Sequence, residues 1–213
     1  LVAGGKVVAV GRGLELPEGA LLIDGRGKHL TPGLVDCHAH IAIEGDVNEG
    51  TLAVTSMVRI EDVLDSEDLN LYRDLAGGLT TANLLHGSAN PIGGQNAVVK
   101  LRWGMAPADL RLEGAPAGIK FALGENVKQS NWGQQFVKRY PQTRMGVAEL
   151  IRASLLEARD YQRRMAAWQS GPKRKDQAPP RRDLRLEALV EVLDGKRLVH
   201  AHSYRQDEIL MLI

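Results

Sequence analysis

The apolar positions of this chain change period along its length, and the changes mark its elements. Residues 1 to 30 hold only short apolar runs, Leu1 to Ala3, Lys6 to Val10 and Ala20 to Ile23, punctuated by Gly4-Gly5 and Asp24-Gly25. That pattern predicts small strands and tight turns. Leu34 and Val35, inside Thr31 to Ile41, read as a buried strand. Residues 41 to 59 show no period and read as a loop. Ser66 then stands as a helix N-cap before residues 67 to 75, with Leu69, Leu71, Tyr72 and Leu75 on one stripe and Gly77-Gly78 as the stop. Leu79 to Leu85 follows as a buried strand.

The rhythm then repeats. Ser88 to Gln95 reads either as a tight turn or as a glycine-opened loop whose amides could bind a carboxylate, and Asn96 to Leu101 reads as a third strand. Ile119 to Leu123 is a short apolar strand. Residues 146 to 169 recur at three and four and form the longest helix, and a helix at 184 to 193 leads into a strand at 197 to 200. Residues 170 to 182, with Gly171, Pro172, Pro179 and Pro180 among five cations, predict a flexible insertion rather than a linker, because the α/β rhythm resumes after it. The expected class is α/β.

Composition narrows the partners. Of 213 residues, 44% are hydrophobic and 25% charged, as in ordinary globular proteins. Lys and Arg (27) nearly balance Asp and Glu (26), so no nucleic-acid or membrane-surface partner is expected. No apolar run is long enough to span a bilayer. The one cysteine, Cys37, excludes an internal disulfide framework and reads as a buried strand residue. It fits cytosol or periplasm equally.

Three stretches carry chemistry. In Thr31 to Ile41, TPGLVDCHAHI, His38 and His40 share one face of a strand, which makes half a metal site or two inert, hydrogen-bonded histidines. Lys120 stands alone in an apolar strand, where an ammonium is costly without a partner. It could be modified, pair with an acid such as Glu125, or touch substrate. The strand ending in LVHAHS adds His200 and His202. His86 closes the second strand, and Asn90 and Gln95 lie in the loop after it. A basic and aromatic stretch holds Lys128, Trp132, Lys138, Arg139, Tyr140 and Arg144. With a balanced net charge, such a stretch fits a small anionic substrate better than nucleic acid.

The TPG-[LF]-x-D-x-H-x-H pattern of residues 31 to 40 resembles the first barrel strand of the metal-dependent amidohydrolase superfamily. GGLTTANLLHG resembles its second strand, and ENVKQSNWG and RYPQTRMG look like segments of prolidase- or imidazolonepropionase-like bacterial members. The resemblance implies a partial (β/α)8 TIM barrel, about strands 1 to 5, over residues 31 to 213, and remnant strands of an N-terminal β-sandwich over residues 1 to 30. It also implies that the sequence is cut at both ends, without the sixth-strand histidine and eighth-strand aspartate of the family; a closed barrel takes about 250 residues.

Further, the resemblance implies one or two divalent cations, zinc first. His38 and His40 would hold one, carbamylated Lys120 would bridge, and His200 would hold the second. Lys120 and His202 would serve catalysis or substrate contact, while His86, Asn90, Gln95 and Arg144 would contact substrate, Arg144 through its carboxylate. Three functions remain open. The first is a binuclear hydrolase of peptide-like amides, dipeptidase- or prolidase-like. The second is a mononuclear cyclic-amide hydrolase or deaminase with Lys120 a plain amine. The third is a catalytically incomplete piece that acts by binding or assembly. A homo-oligomer is expected.

Overall fold

The structure, a computed structural model, describes residues 1–133, 139–172 and 178–213. Lys138 of the basic stretch and residues 173–177 of the predicted insertion lie outside the described residues. The chain divides into two compact units, Leu1–Pro32 and Gly33–Ile213.

In the first unit, β1 (Val2–Ala3) and β2 (Lys6–Val7) form an antiparallel hairpin. Its turn is made by Gly4 and Gly5, both at positive φ (56° and 73°), where a Cβ would be strained. The strand predicted at Ala20 to Ile23 does not form, and those side chains are exposed.

The second unit contains two three-stranded sheets. In one, β3 (Leu34–Ala39) runs parallel to β4 (Leu79–Leu84), and β4 pairs antiparallel with β6 (Ala97–Lys100). In the other, β7 (Ala117–Ala122) lies between antiparallel β5 (Ile92–Gln95) and parallel β8 (Arg197–His202). Among the described residues no barrel closes. The parallel pairs fit part of an α/β barrel, but two expectations need correction. Residues 92–95 are a strand rather than a tight turn or a loop, and the strand over 97–100 turns back antiparallel instead of joining the parallel set.

Glycine explains the first correction. A Cβ on Gly93 would stand 2.7 Å from His86 Nδ1, and one on Gly94 would stand 2.7 Å from a Val58 methyl. The diglycine lets β5 pass closely between these side chains, so its flexibility serves packing rather than ligand capture.

The helices follow their sequence signals closely. α1 (Leu69–Ala76) is capped by Asp68, not Ser66, because Asp68 Oδ1 accepts the Asn70 N–H while its Oδ2 accepts the Ala42 N–H at 2.6 Å. A short α2 covers Pro107–Leu110, with proline in the first turn. α3 (Arg144–Ser170) is capped by Thr143, and α4 (Leu184–Leu193) by Asp183, whose carboxylate accepts the N–H groups of Arg185 and Leu186. α3 and α4 bury Val147, Ile151, Ala158, Tyr161, Leu186 and Leu189 against Ile119 and Phe121 of β7 and Leu123 just after it. Burial of this size, at about 25 cal/mol per Å2 of apolar surface, is what holds β7 in place. α5 (Gln206–Leu212) follows β8. No helix among the described residues is long and apolar enough to cross a membrane.

Candidate metal centre

Among the described residues the HxH strand β3 pairs on one side only, with β4, and it departs from the sequence expectation there. Leu34 and Val35 are exposed rather than buried, and so is Cys37. The register explains why the simple alternation fails. Asp36 pairs with Ala82 and Ala39 with Leu84, so β3 spends one more residue than its partner between these points. This bulge, at Cys37 and His38, is held by Asp36 Oδ1, which accepts the His38 N–H at 3.0 Å, and by the Asn83 amide, which donates to the Cys37 carbonyl at 3.2 Å. Bulges of this kind re-aim side chains beside active sites.

Both imidazoles come to the same point. His38 Nε2 and His40 Nε2 are 3.2 Å apart. His40 Nδ1 lies 2.8 Å from the Leu85 carbonyl oxygen. A carbonyl can only accept, so the proton of neutral His40 sits on Nδ1 and the Nε2 lone pair faces His38.

Lys120 completes the cluster from the other sheet. It lies on β7 with 1% of its surface exposed, and its Nζ is 3.0 Å from His38 Nε2. Burial pulls its pKa below the ordinary lysine value. His38 is also pushed down, by burial first and then by the neighbouring Lys120 and His40. Both shifts, of Lys120 and His38, run toward the neutral form, whose nitrogen lone pair can bind a cation.

These donors fit a divalent cation. Zinc–nitrogen bonds of about 2.0–2.1 Å in a tetrahedral site put adjacent ligand nitrogens about 3.3 Å apart, close to the 3.2 Å found between His38 and His40. Among the described residues no three His, Cys, Asp or Glu side chains converge. The cluster is two imidazoles and one amine.

The remaining predicted residues are disposed differently. In the parallel register Lys120 pairs with His200 and Ala122 with His202. The His200 ring lies back along β7, where a Cβ on Gly118 would stand 2.7 Å from its Nε2. It is not drawn into the His38–His40–Lys120 cluster. His202 Nε2 is enclosed with no hydrogen-bond partner among the described residues, and its ring meets Tyr204 edge-on at 4.7 Å. For both, burial lowers the pKa first and the charge of Lys120 second.

The four residues expected at the substrate are engaged by the protein. His86 places Nδ1 2.9 Å from the Gly87 carbonyl, and its Nε2 accepts the Glu49 N–H at 2.9 Å. Asn90 donates to the Glu49 carbonyl and to Thr55 Oγ1, and the Gln95 amide donates to the Ser56 carbonyl. These bonds lace the connection after β3 to that after β4. Arg144 is bound by Glu208 at 2.6 Å and Glu125 at 2.5 Å, and thus has two carboxylates already.

One residue escaped the sequence reading. Arg139 stood among the cations of residues 127 to 145, and nothing local distinguished it from Arg144. Its distinction is purely tertiary, since its guanidinium donates to Gly50 and Ala89 carbonyls 89 and 50 residues away.

No family model matches the sequence. The chain is 30% identical to the amidohydrolase tasK of Hapsidospora irregularis over 93% of its own length and 22% of that protein's. It is 43% identical to an imidazolonepropionase of Alkaliphilus metalliredigens over 58 residues, which are 25% of this chain and 14% of that one. A crystal structure of an amidohydrolase from Thermotoga maritima MSB8 superposes with a TM-score of 0.85 at 36% identity, over 100% of this chain and 55% of that one. The chain thus spans about a fifth of the first relative and about half of the third.

Proposed function

The chain belongs to the amidohydrolase superfamily, and on that premise we propose that it carries the metal-binding part of a hydrolase acting on C–N bonds of peptide-like amides. The observation that supports this reading most is the meeting of His38, His40 and Lys120 nitrogens within 3.0 to 3.2 Å, although they come from two separate sheets. A divalent cation such as zinc, when bound there, supplies a water of lowered pKa and polarises the scissile carbonyl.

The chain's own residues prepare that site. Leu85 holds the His40 tautomer through its carbonyl. The bulge at Cys37 and His38 turns the two rings toward each other. Burial lowers the pKa of Lys120, which favours the neutral amine, the form that attacks carbon dioxide. Its nitrogen lone pair would bond to the carbon, the amine would lose a proton, and the resulting carbamate would be an anionic ligand able to bridge a second cation. His200 and His202, on the adjoining strand, are the donors nearest in register for that second ion. Small peptide-like substrate, zinc and self-association into a homo-oligomer belong to this proposal.

A second reading is favoured by the direct Lys120–His38 contact of 3.0 Å, which leaves no room for a carbamate between them as they stand. In it Lys120 remains an amine, one cation is bound, and the substrate is a cyclic amide, as the imidazolonepropionase relative suggests. Zinc per chain, intact mass and turnover of a dipeptide and a cyclic-amide panel separate the two. Two zinc ions and an added mass of one carbon dioxide on Lys120 support the first; one ion and an unmodified lysine support the second. Absence of metal binding and of turnover on either panel refutes both.

A further inference from the structure

Arg139 and Arg144 lie five positions apart, yet their guanidinium groups have opposite surroundings. Arg144 is saturated by two carboxylates. Among the described residues Arg139 has only neutral acceptors: its Nε donates to the Gly50 carbonyl at 2.8 Å, and its Nη2 donates to the Ala89 carbonyl at 2.7 Å and to Asn90 Oδ1 at 3.3 Å. Its Nη1 is enclosed and has no hydrogen-bond partner among the described residues. No carboxylate among the described residues pairs with it, and the preceding residues 134 to 138, Gln-Gln-Phe-Val-Lys, contain none. The guanidinium also lies 5.5 Å from the Trp132 ring centroid. Burial pulls its pKa down with no acid to oppose the effect.

A half-buried cation held only by dipoles is a charge awaiting a counterion. Its location says which one. Gly50 lies on the connection after β3, and Ala89 and Asn90 lie on the connection after β4, which begins at Leu85, the residue whose carbonyl orients His40. Arg139 is therefore tied to the connections that leave the two strands beside the metal ligands. We infer that Arg139 is the anion receptor of this site and takes the carboxylate of an N-acyl amino acid or peptide substrate, the role that sequence reasoning gave to Arg144. The inference rests on the amide-hydrolase reading for the identity of the anion. A planar guanidinium with an unspent nitrogen suits a carboxylate, and each charged hydrogen bond strengthens binding substantially.

The test is binding of N-acetyl-L-alanine against its neutral amide, by calorimetry on the zinc-loaded chain and on Arg139→Gln. The parent should bind the acid about tenfold more tightly or better, as a charge-assisted hydrogen bond of 1.5–3 kcal/mol requires. Arg139→Gln should bring acid and amide to equal affinity and leave that of the amide unchanged. Equal affinities in the parent overturn the inference. So does a variant that weakens both ligands alike, since Arg139 would then only clamp the connections. Should Arg139→Gln fail to fold, Arg139→Lys decides: a several-fold smaller preference supports the receptor, and an undiminished one overturns it. Zinc content measured in parallel keeps the two claims apart. Acid preference without zinc sinks the hydrolase reading alone; zinc without acid preference sinks this one alone.

Discussion

β3 and β7 bring halves of one cluster from opposite surroundings. β3 pairs on one side, is bulged and keeps Leu34, Val35 and Cys37 in solvent. β7 is paired on both sides, in unbroken register with β8, and its Lys120 is buried. The difference separates two tasks. The exposed strand supplies ligands whose loss should hardly touch the fold, whereas the buried strand supplies a nitrogen whose protonation state the fold controls.

Substitution on the exposed side should give the largest effect. His38→Ala should weaken zinc binding by more than about a hundredfold, beyond what is usual for losing an outer partner of a ligand, while stability without metal falls by only about 1 kcal/mol, the loss of its contact with buried Lys120. Calorimetric titration and denaturant unfolding check the two halves. A large loss of stability would erase the contrast with β7.

Next comes the packing that supports the buried side. Gly93→Ala puts a methyl 2.7 Å from His86 Nδ1 on the strand beside β7, and overpacking of this kind costs about 1–3 kcal/mol. The midpoint of urea unfolding measures it. Lys120→Met should act in two directions. Removing a buried amine should raise metal-free stability, by up to about 1–2 kcal/mol, and zinc should no longer stabilise the protein as it does the parent. Thermal unfolding with and without zinc reads both, and a destabilised metal-free variant would show that Lys120 is held by interactions stronger than its contact with His38.

The smallest effect is the pH dependence. The folded-state pKa of buried His86 is lowered from its ordinary 6.5 by burial, so the unfolded chain binds more protons below that value. Stability should therefore be unaffected by this group above pH 6.5 and fall as pH drops through 6.5 toward the lowered value. Parallel titration of His86→Gln should show a shallower fall; an identical profile would assign the acid sensitivity elsewhere.

How much of this was legible in sequence depended on how local the cause was. The 3.6 period marks α3 and α4 within a residue or two, because it is written into neighbouring positions of the chain. Lys120 was conspicuous as the lone cation in an apolar strand. The bulge in β3 was invisible, since an extra residue has meaning only against the partner strand. The same holds for β5, whose glycines read as a tight turn or a loop until His86 and Val58 filled the space beside them. It holds also for Arg144, whose anions turned out to be Glu125 and Glu208, 19 and 64 residues away. Charge type could be read from the chain; charge pairing could not.

The central claim is that His38, His40 and Lys120 share one cation across two sheets. Anomalous diffraction at the zinc edge from crystals grown with zinc tests it directly. The account predicts a peak about 2 Å from both His38 Nε2 and His40 Nε2, with Lys120 or its carbamate as a further ligand. A peak that engages other side chains, or density that leaves Lys120 turned away from the ion, would contradict it.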